Sequence, residues 1–140
     1  MTIAIRSAFE TDEAAVTALW HVCNLTAPYN DPATDFHFAR SRPGSDILVA
    51  AEGDEIIGSV MVGHDGHRGW LYYVAVAPQH QKKGIGRALV KAAERWLSDR
   101  GVPKVHLMVR ETNTQVVEFY AHMGYDPMPR VNMQKWLKQP

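Results

Sequence analysis

Seven residues in mid-chain, Gln81-Lys82-Lys83-Gly84-Ile85-Gly86-Arg87, have the make-up of an anion site. Before them, Trp70 to Ala77 is a short apolar run whose aromatic and β-branched residues suit a buried strand. After them, Ile85, Ala88, Leu89, Ala92, Ala93, Trp96 and Leu97 recur at spacings of three and four, which predicts one helical stripe. The two glycines at the start of that helix let the backbone come close to a ligand. Unpaired N–H groups and the positive dipole end there favour phosphate. Lys82, Lys83 and Arg87 set cations beside those amides. The residues point to a phosphate-bearing ligand.

Two common phosphate motifs do not fit. No Gly-Lys-Ser/Thr follows four free positions after a glycine, so the segment is not a P-loop. Leu89 stands three residues after Gly86, where the dinucleotide fingerprint wants Gly or Ala. A plain left-handed turn into a helix is the bland reading of the same glycines.

The elements that must carry this loop alternate along the chain. Ile3 to Arg6 reads as a first strand. Thr11 would cap a helix with Asp12 and Glu13 in its first turn and Val16, Leu19, Trp20 and Cys23 on its buried face. Asp31-Pro32 has the pattern of an N-cap and first helical position for a second helix running to Arg40, broken by Arg42-Pro43-Gly44-Ser45. Gly53-Asp54 between two apolar runs, Ile47 to Glu52 and Glu55 to Gly63, signals a hairpin. The long helix stops at Gly101, with Pro103 soon after. Lys104 to Val109 reads as a strand, Asn113 to Met123 as a helix, and Val131 to Leu137 as a closing strand. This order predicts an α/β fold, a mixed sheet with helices on both faces.

Composition bounds the rest. A chain of 140 residues is expected to be one domain, 1–140. With 46% hydrophobic and 21% charged residues, its make-up is that of a soluble globular protein. Fifteen basic and fifteen acidic residues leave no net charge, so nothing global draws it to nucleic acid or an anionic membrane. The single Cys23 cannot form an internal disulfide, and no apolar run approaches the roughly 20 residues that span a bilayer. The expectation is a cytoplasmic protein with no nucleic-acid or membrane partner.

A Gln/Arg-x-x-Gly-x-Gly/Ala run after a Val-Ala-Val strand resembles the acetyl-coenzyme-A motif of the GNAT family of N-acetyltransferases. Here it reads Val74-Ala75-Val76, then Gln81 to Gly86. Downstream, Asn113, Tyr120, Gly124 and Tyr125 resemble the family's Asn-x-x-Ala-x-x-Phe/Leu-Tyr-x-x-x-Gly-Phe/Tyr, with Val116 where the small residue is usual. The resemblance covers nearly the whole chain and implies a single-domain GNAT fold with a partly splayed central sheet. It implies an enzyme, an acyltransferase that uses acetyl-coenzyme A as cosubstrate and no metal. Backbone at Val74, Ala75 and Val76 would pair with the pantetheine arm. The amides and side chains of Gln81, Lys82, Lys83, Gly84, Ile85, Gly86 and Arg87 would hold the diphosphate. Asn113 would bond the pantetheine, and Tyr120 would protonate the departing thiolate.

The base and the acceptor are less legible. In the ribosomal-protein branch of the family a Glu stands five residues before the Asn; here that position is Met108, which cannot take a proton. Glu111 is the nearest carboxylate, and water-relayed deprotonation is the first choice, with Glu111 as participant. His64 and His67 lack the further ligands a zinc site needs, and a polar turn held by Asp65 and Arg68 accounts for them. His64 and Asp65 are nonetheless candidates for the acceptor pocket. So are Tyr29, Asn30 and Asp31 in the link between the first two helices, with Asp31 also a helix cap. Tyr29-Asn30-Asp31-Pro32, the 65–69 turn and Tyr72-Tyr73 resemble the YpeA-like branch, which carries no settled acceptor. The expected partner is a small-molecule amine or a protein amino group. A non-catalytic acyl-coenzyme-A sensor or scaffold is the alternative. Met133 and Trp136 on the last strand would cover a homodimer partner or fill the core.

Overall fold

Gly53 turns the chain in the left-handed region, at φ 61°, and so joins β2 (Ser45–Glu52) to β3 (Glu55–His64) in the expected hairpin. The structure, a computed structural model, describes residues 2–139. β1 (Ile3–Ser7) pairs antiparallel with β2, and β4 (Gly69–Val76) pairs antiparallel with β3. β5 (Val105–Leu107) joins β4 in parallel, which makes the sheet mixed and ordered β1-β2-β3-β4-β5. That last pairing covers only Gly69, Trp70 and Leu71, so Tyr72 to Val76 run on without β5 beside them. The sheet is partly splayed there.

Helices α1 (Glu13–Val22), α2 (Pro32–Ala39) and α3 (Ile85–Asp99) cover this sheet, and α4 (Thr114–His122) follows it in the chain. Neighbouring residues of β3 show that both faces are used, because side chains alternate across a strand. Ser59 faces α1, its Oγ accepting a hydrogen bond from Trp20 Nε1 at 2.9 Å. Gly58 lies under α3, where an added Cβ would stand 2.8 Å from Leu89 Cδ1 and 3.1 Å from the Ala75 carbonyl oxygen. On the α1 face, Val16, Leu19, Trp20 and Phe36 bury themselves against Ile47, Val49 and Ala75. The chain forms two compact units, one ending at Leu107 and the other starting at Met108. No helix among the described residues is long and apolar enough to cross a membrane.

Four sequence expectations need correction. The buried row of α3 is Ile85, Leu89, Ala93 and Leu97 with Val90 beside it, while Ala88 is exposed. Residues four apart drift only slightly around a helix, and Ala88 lies off that row. Thr11 does not cap α1. Glu10–Asp12 form a short 3-10 turn instead, and the Asp12 carboxylate accepts from Phe9 N at 2.8 Å and from Arg6 Nη1 at 2.7 Å. The β5 ladder is shorter than Lys104 to Val109. No strand forms over 131–137, where Val131, Met133 and Leu137 are exposed. Alternating polarity there has no ladder to join, and Pro127 and Pro129 just before it withhold backbone donors. Met133 therefore does not fill a core.

Gly58→Ala would drive a methyl into α3 and the β4 backbone. Urea unfolding should show a loss of about 1–3 kcal/mol; an unchanged midpoint would mean that α3 does not seat on this glycine.

Candidate functional site

α3 begins behind Gly84, an N-cap at φ 82° that has no side chain to offer the helix end. The first backbone bond of the helix runs from Ala88 N to Gly84 O at 3.1 Å. The N–H groups of Ile85, Gly86 and Arg87 are therefore the orphan donors of a helix start. Lys82 is also left-handed, at φ 64°, so the loop curls before the helix opens. A Cβ on Gly84 would meet nothing within 4 Å, which makes its glycine a demand of conformation and not of space. Ile85 is buried and anchors the loop, whereas Lys82, Lys83 and Arg87 are exposed and belong to none of the ion pairs among the described residues. Gln81 Nε2 donates to Val76 O at 3.1 Å, tying the loop to the end of β4. Cys23 Sγ donates to the same oxygen at 3.3 Å, and burial pushes its thiol up.

The feature that sequence reading missed lies on β4 itself. Ser59 is registered with Ala75 but Met61 with Tyr72, so Val60 alone faces both Tyr73 and Val74. This is a β-bulge. Tyr73 sits in it at φ 51°, a left-handed conformation that costs a bulky residue on the order of 1–3 kcal/mol. Several contacts hold it there. Its ring stacks on Trp20 at 3.9 Å, its carbonyl accepts from Ser59 Oγ at 3.3 Å, and its hydroxyl donates to Asp35 Oδ2 at 2.7 Å. Burial, followed by the Asp35 hydrogen bond and charge, pushes the Tyr73 phenol far up; Tyr29 adds to the rise, and Asn30 opposes it. Tyr73 and Asp35 were not among the predicted site residues, since no pattern in one sequence marks a bulge.

The remaining predicted residues divide between local structure and open surface. Asp31 caps α2, accepting from Ala33 N at 3.2 Å and from Thr34 Oγ1 at 2.8 Å. Asp65 Oδ1 accepts from Arg68 N at 2.7 Å and His67 N at 2.9 Å, and these bonds hold its carboxyl below the usual range. His64 Nδ1 accepts from Gly66 N at 3.1 Å in the same turn. Asn30 and Asp31 line an open groove of about 760 Å³ against α1, together with Glu13, Thr17 and His21. In the second unit, Asn113 caps α4 through Val116 N at 3.4 Å, and Glu111 is exposed. Tyr120 is buried, packed edge-on against Phe119 and Tyr125, and burial pushes its phenol up to about 12. No group of three or more His, Cys, Asp or Glu among the described residues could hold a metal ion.

The family model of the Acetyltransferase (GNAT) family matches residues 10–125. The chain belongs to the GNAT family. Its relatives include an acetyltransferase of Pectobacterium atrosepticum, 41% identical over 95% of this chain and 94% of that one. Another, from Sodalis glossinidius, is 40% identical over 82% and 81% of the two chains. Among solved structures, the fold is similar to that of the aminoglycoside N-acetyltransferase AAC(6')-Iy in complex with the bisubstrate analog CoA-S-monomethyl-acetylneamine. That match has a TM-score of 0.83 at 17% identity and covers 97% of this chain and 99% of the other. Glucosamine-6-phosphate N-acetyltransferase from Arabidopsis thaliana matches with a TM-score of 0.74 at 21% identity, over 99% and 100% of the two chains. This GNAT protein is thus an acetyltransferase with the family's mixed, unclosed sheet, in which α3 follows β4 by way of the glycine loop.

In this GNAT chain Gly84→Ala tests the loop by conformation alone. The variant should lose about 1–2 kcal/mol of stability in thermal unfolding; full stability would show that the left-handed turn is not required.

Proposed function

We propose that the protein transfers the acetyl group of acetyl-coenzyme A to a primary amine of a small molecule or protein, by direct attack in a ternary complex. The observation that carries this reading is the open start of α3, with Gly84 left-handed, no side-chain cap, and Lys82, Lys83 and Arg87 in none of the ion pairs among the described residues. A diphosphate suits such a site in both charge and shape. Orphan N–H groups would take its oxygens, and the three cations would neutralise it. The strand edge at Val74, Ala75 and Val76 would pair with the pantetheine arm as an added strand. A backbone N–H released from the ladder by the Tyr73–Val74 bulge would polarise the acetyl carbonyl, as an oxyanion donor does. Asn113 would bond the pantetheine. Both compact units belong to one catalytic domain in this reading, since the family match spans residues 10–125.

Tyr120 is the proposed acid. Raised to about 12, its phenol carries its proton at every ordinary pH. Against a thiol of about 8.5 in water, giving that proton up is about 5 kcal/mol uphill. Burial also raises a thiol, so in a dry complex the gap narrows and the transfer becomes feasible. Ordered water, with Glu111 as participant, takes the amine's proton.

Release of free thiol from acetyl-coenzyme A over a panel of diamines, amino acids and peptide N-termini tests the activity. Silence across the panel with tight acetyl-coenzyme A binding would leave a sensor instead. Tyr120→Phe should lower kcat by roughly 10²-fold with little change in coenzyme A affinity. Because a raised phenol stays protonated until pH approaches its own value, wild-type kcat should show no alkaline fall below about pH 10.5. A descending limb near pH 9 that vanishes in Tyr120→Phe would contradict the burial argument.

A further inference from the structure

The left-handed Tyr73 aims a phenol from the middle of β4 at α2, where its hydroxyl donates to Asp35 Oδ2 at 2.7 Å. Trp20, lying flat on the ring at 3.9 Å, keeps it from swinging away. Asp35 is half-buried, and Tyr73 is the side chain that holds it. The bond from Tyr73 falls on Oδ2, and the carboxylate forms none of the ion pairs among the described residues. A carboxylate partly withdrawn from water, with one oxygen fixed, gains most from a charged N–H donor. Tyr29 and Asn30 stand near the same hydroxyl. Asn30 continues into the groove against α1, whose lining includes Glu13 and Asp31 and neither Lys nor Arg, with His21 its basic residue. Val74 to Val76 follow Tyr73 directly along the strand. Through the Tyr73 side chain, the carboxylate is tied to the strand whose next residues present the thioester in the acetyl-transfer reading.

We propose that Asp35 recognises the acceptor by receiving an alkylammonium group, and that Tyr73 is the positioning residue that fixes the carboxylate. The inference rests on the acetyl-transfer reading and names its substrate class: a cationic amine with no carboxylate or phosphate next to the nitrogen. Alkyl diamines, lysine-type side chains and unphosphorylated aminosugars fit this description. Amines carrying their own anion are repelled. In a diamine, one ammonium stays on Asp35 while the other nitrogen loses a proton to water and attacks. The amide C–N bond forms as the C–S bond breaks, and the thiolate takes up a proton.

The test measures amine and acetyl-coenzyme A kinetics, together with calorimetric binding of 1,4-diaminobutane to the protein alone. Asp35→Asn keeps an acceptor for the Tyr73 hydroxyl and removes only the charge. It should raise the KM for 1,4-diaminobutane and weaken its binding by about tenfold or more, with kcat falling far less. The KM for acetyl-coenzyme A should stay within about twofold, which separates lost recognition from a damaged fold. Asp35→Glu should restore part of the affinity, and Tyr73→Phe should shift the same amine KM by about threefold. The wild type should prefer the diamine over an α-amino acid and a phosphorylated aminosugar. Equal diamine binding in wild type and Asp35→Asn, no diamine binding by the wild type, or a preference for the anionic amines would overturn the proposal. Charge-dependent diamine binding with no acetyl transfer to any amine would instead sink the acetyl-transfer reading and leave the recognition site standing.

Discussion

A short relay of contacts governs this molecule: the Trp20 indole donates to Ser59 Oγ, and Ser59 donates to the Tyr73 carbonyl. Trp20 and Ser59 are both fully buried, so each polar atom must find its partner inside the protein. That requirement, with the Trp20–Tyr73 stack, holds β4 out of simple register with β3. The sheet then stores strain at one residue. Packing over-determines the strained conformation, as it must if an unfavourable φ is to persist. Everything that β4 offers afterwards, from Val74 to Val76 and on to the glycine loop, follows from where the bulge sets it.

Charge is arranged along the same strand. At its end, Gln81 ties the loop to Val76, and α3 opens with bare N–H groups beside exposed cations, a positive terminus built from backbone more than from side chains. Near its middle, the Tyr73 hydroxyl fixes the Asp35 carboxylate. One strand thus carries a positive end and, on the α1 and α2 side, an acidic flank. A protein with no net charge can therefore present opposite charges in different places.

Helix ends set the remaining side chains. Beyond α3, Gly101 is left-handed at φ 77°, and Val102 N donates back to Leu97 O at 3.0 Å. Beyond α4, Gly124 does the same at φ 92°, and Tyr125 N donates to Tyr120 O at 3.0 Å. Both are Schellman closures, in which the residue past the glycine folds back on the last turn. In α4 that closure brings the Tyr125 ring against Tyr120 and helps bury the phenol that is the proposed acid.

Local chemistry was readable from the sequence wherever a residue type has a backbone preference of its own. Gly53, Gly84 and Gly101 announced their turns, Asp31-Pro32 announced α2, and the apolar spacing announced α1, α3 and the hairpin strands. The glycine loop and its cations were legible for the same reason, because orphan amides and φ above zero follow from composition at a helix start. Where no such preference existed, the reading drifted. The stripe of α3 was rotated toward Ala88, Thr11 was given a cap that a 3-10 turn replaced, and an alternating tail was taken for a strand that has no ladder. Tertiary structure alone decided the bulge at Tyr73 and the meeting of Asp35 with that phenol, 38 residues away along the chain. A tyrosine does not choose a left-handed backbone by itself; the packing of Trp20, Ser59 and α2 around it imposes that conformation, and packing between distant segments is not encoded in any one stretch of sequence.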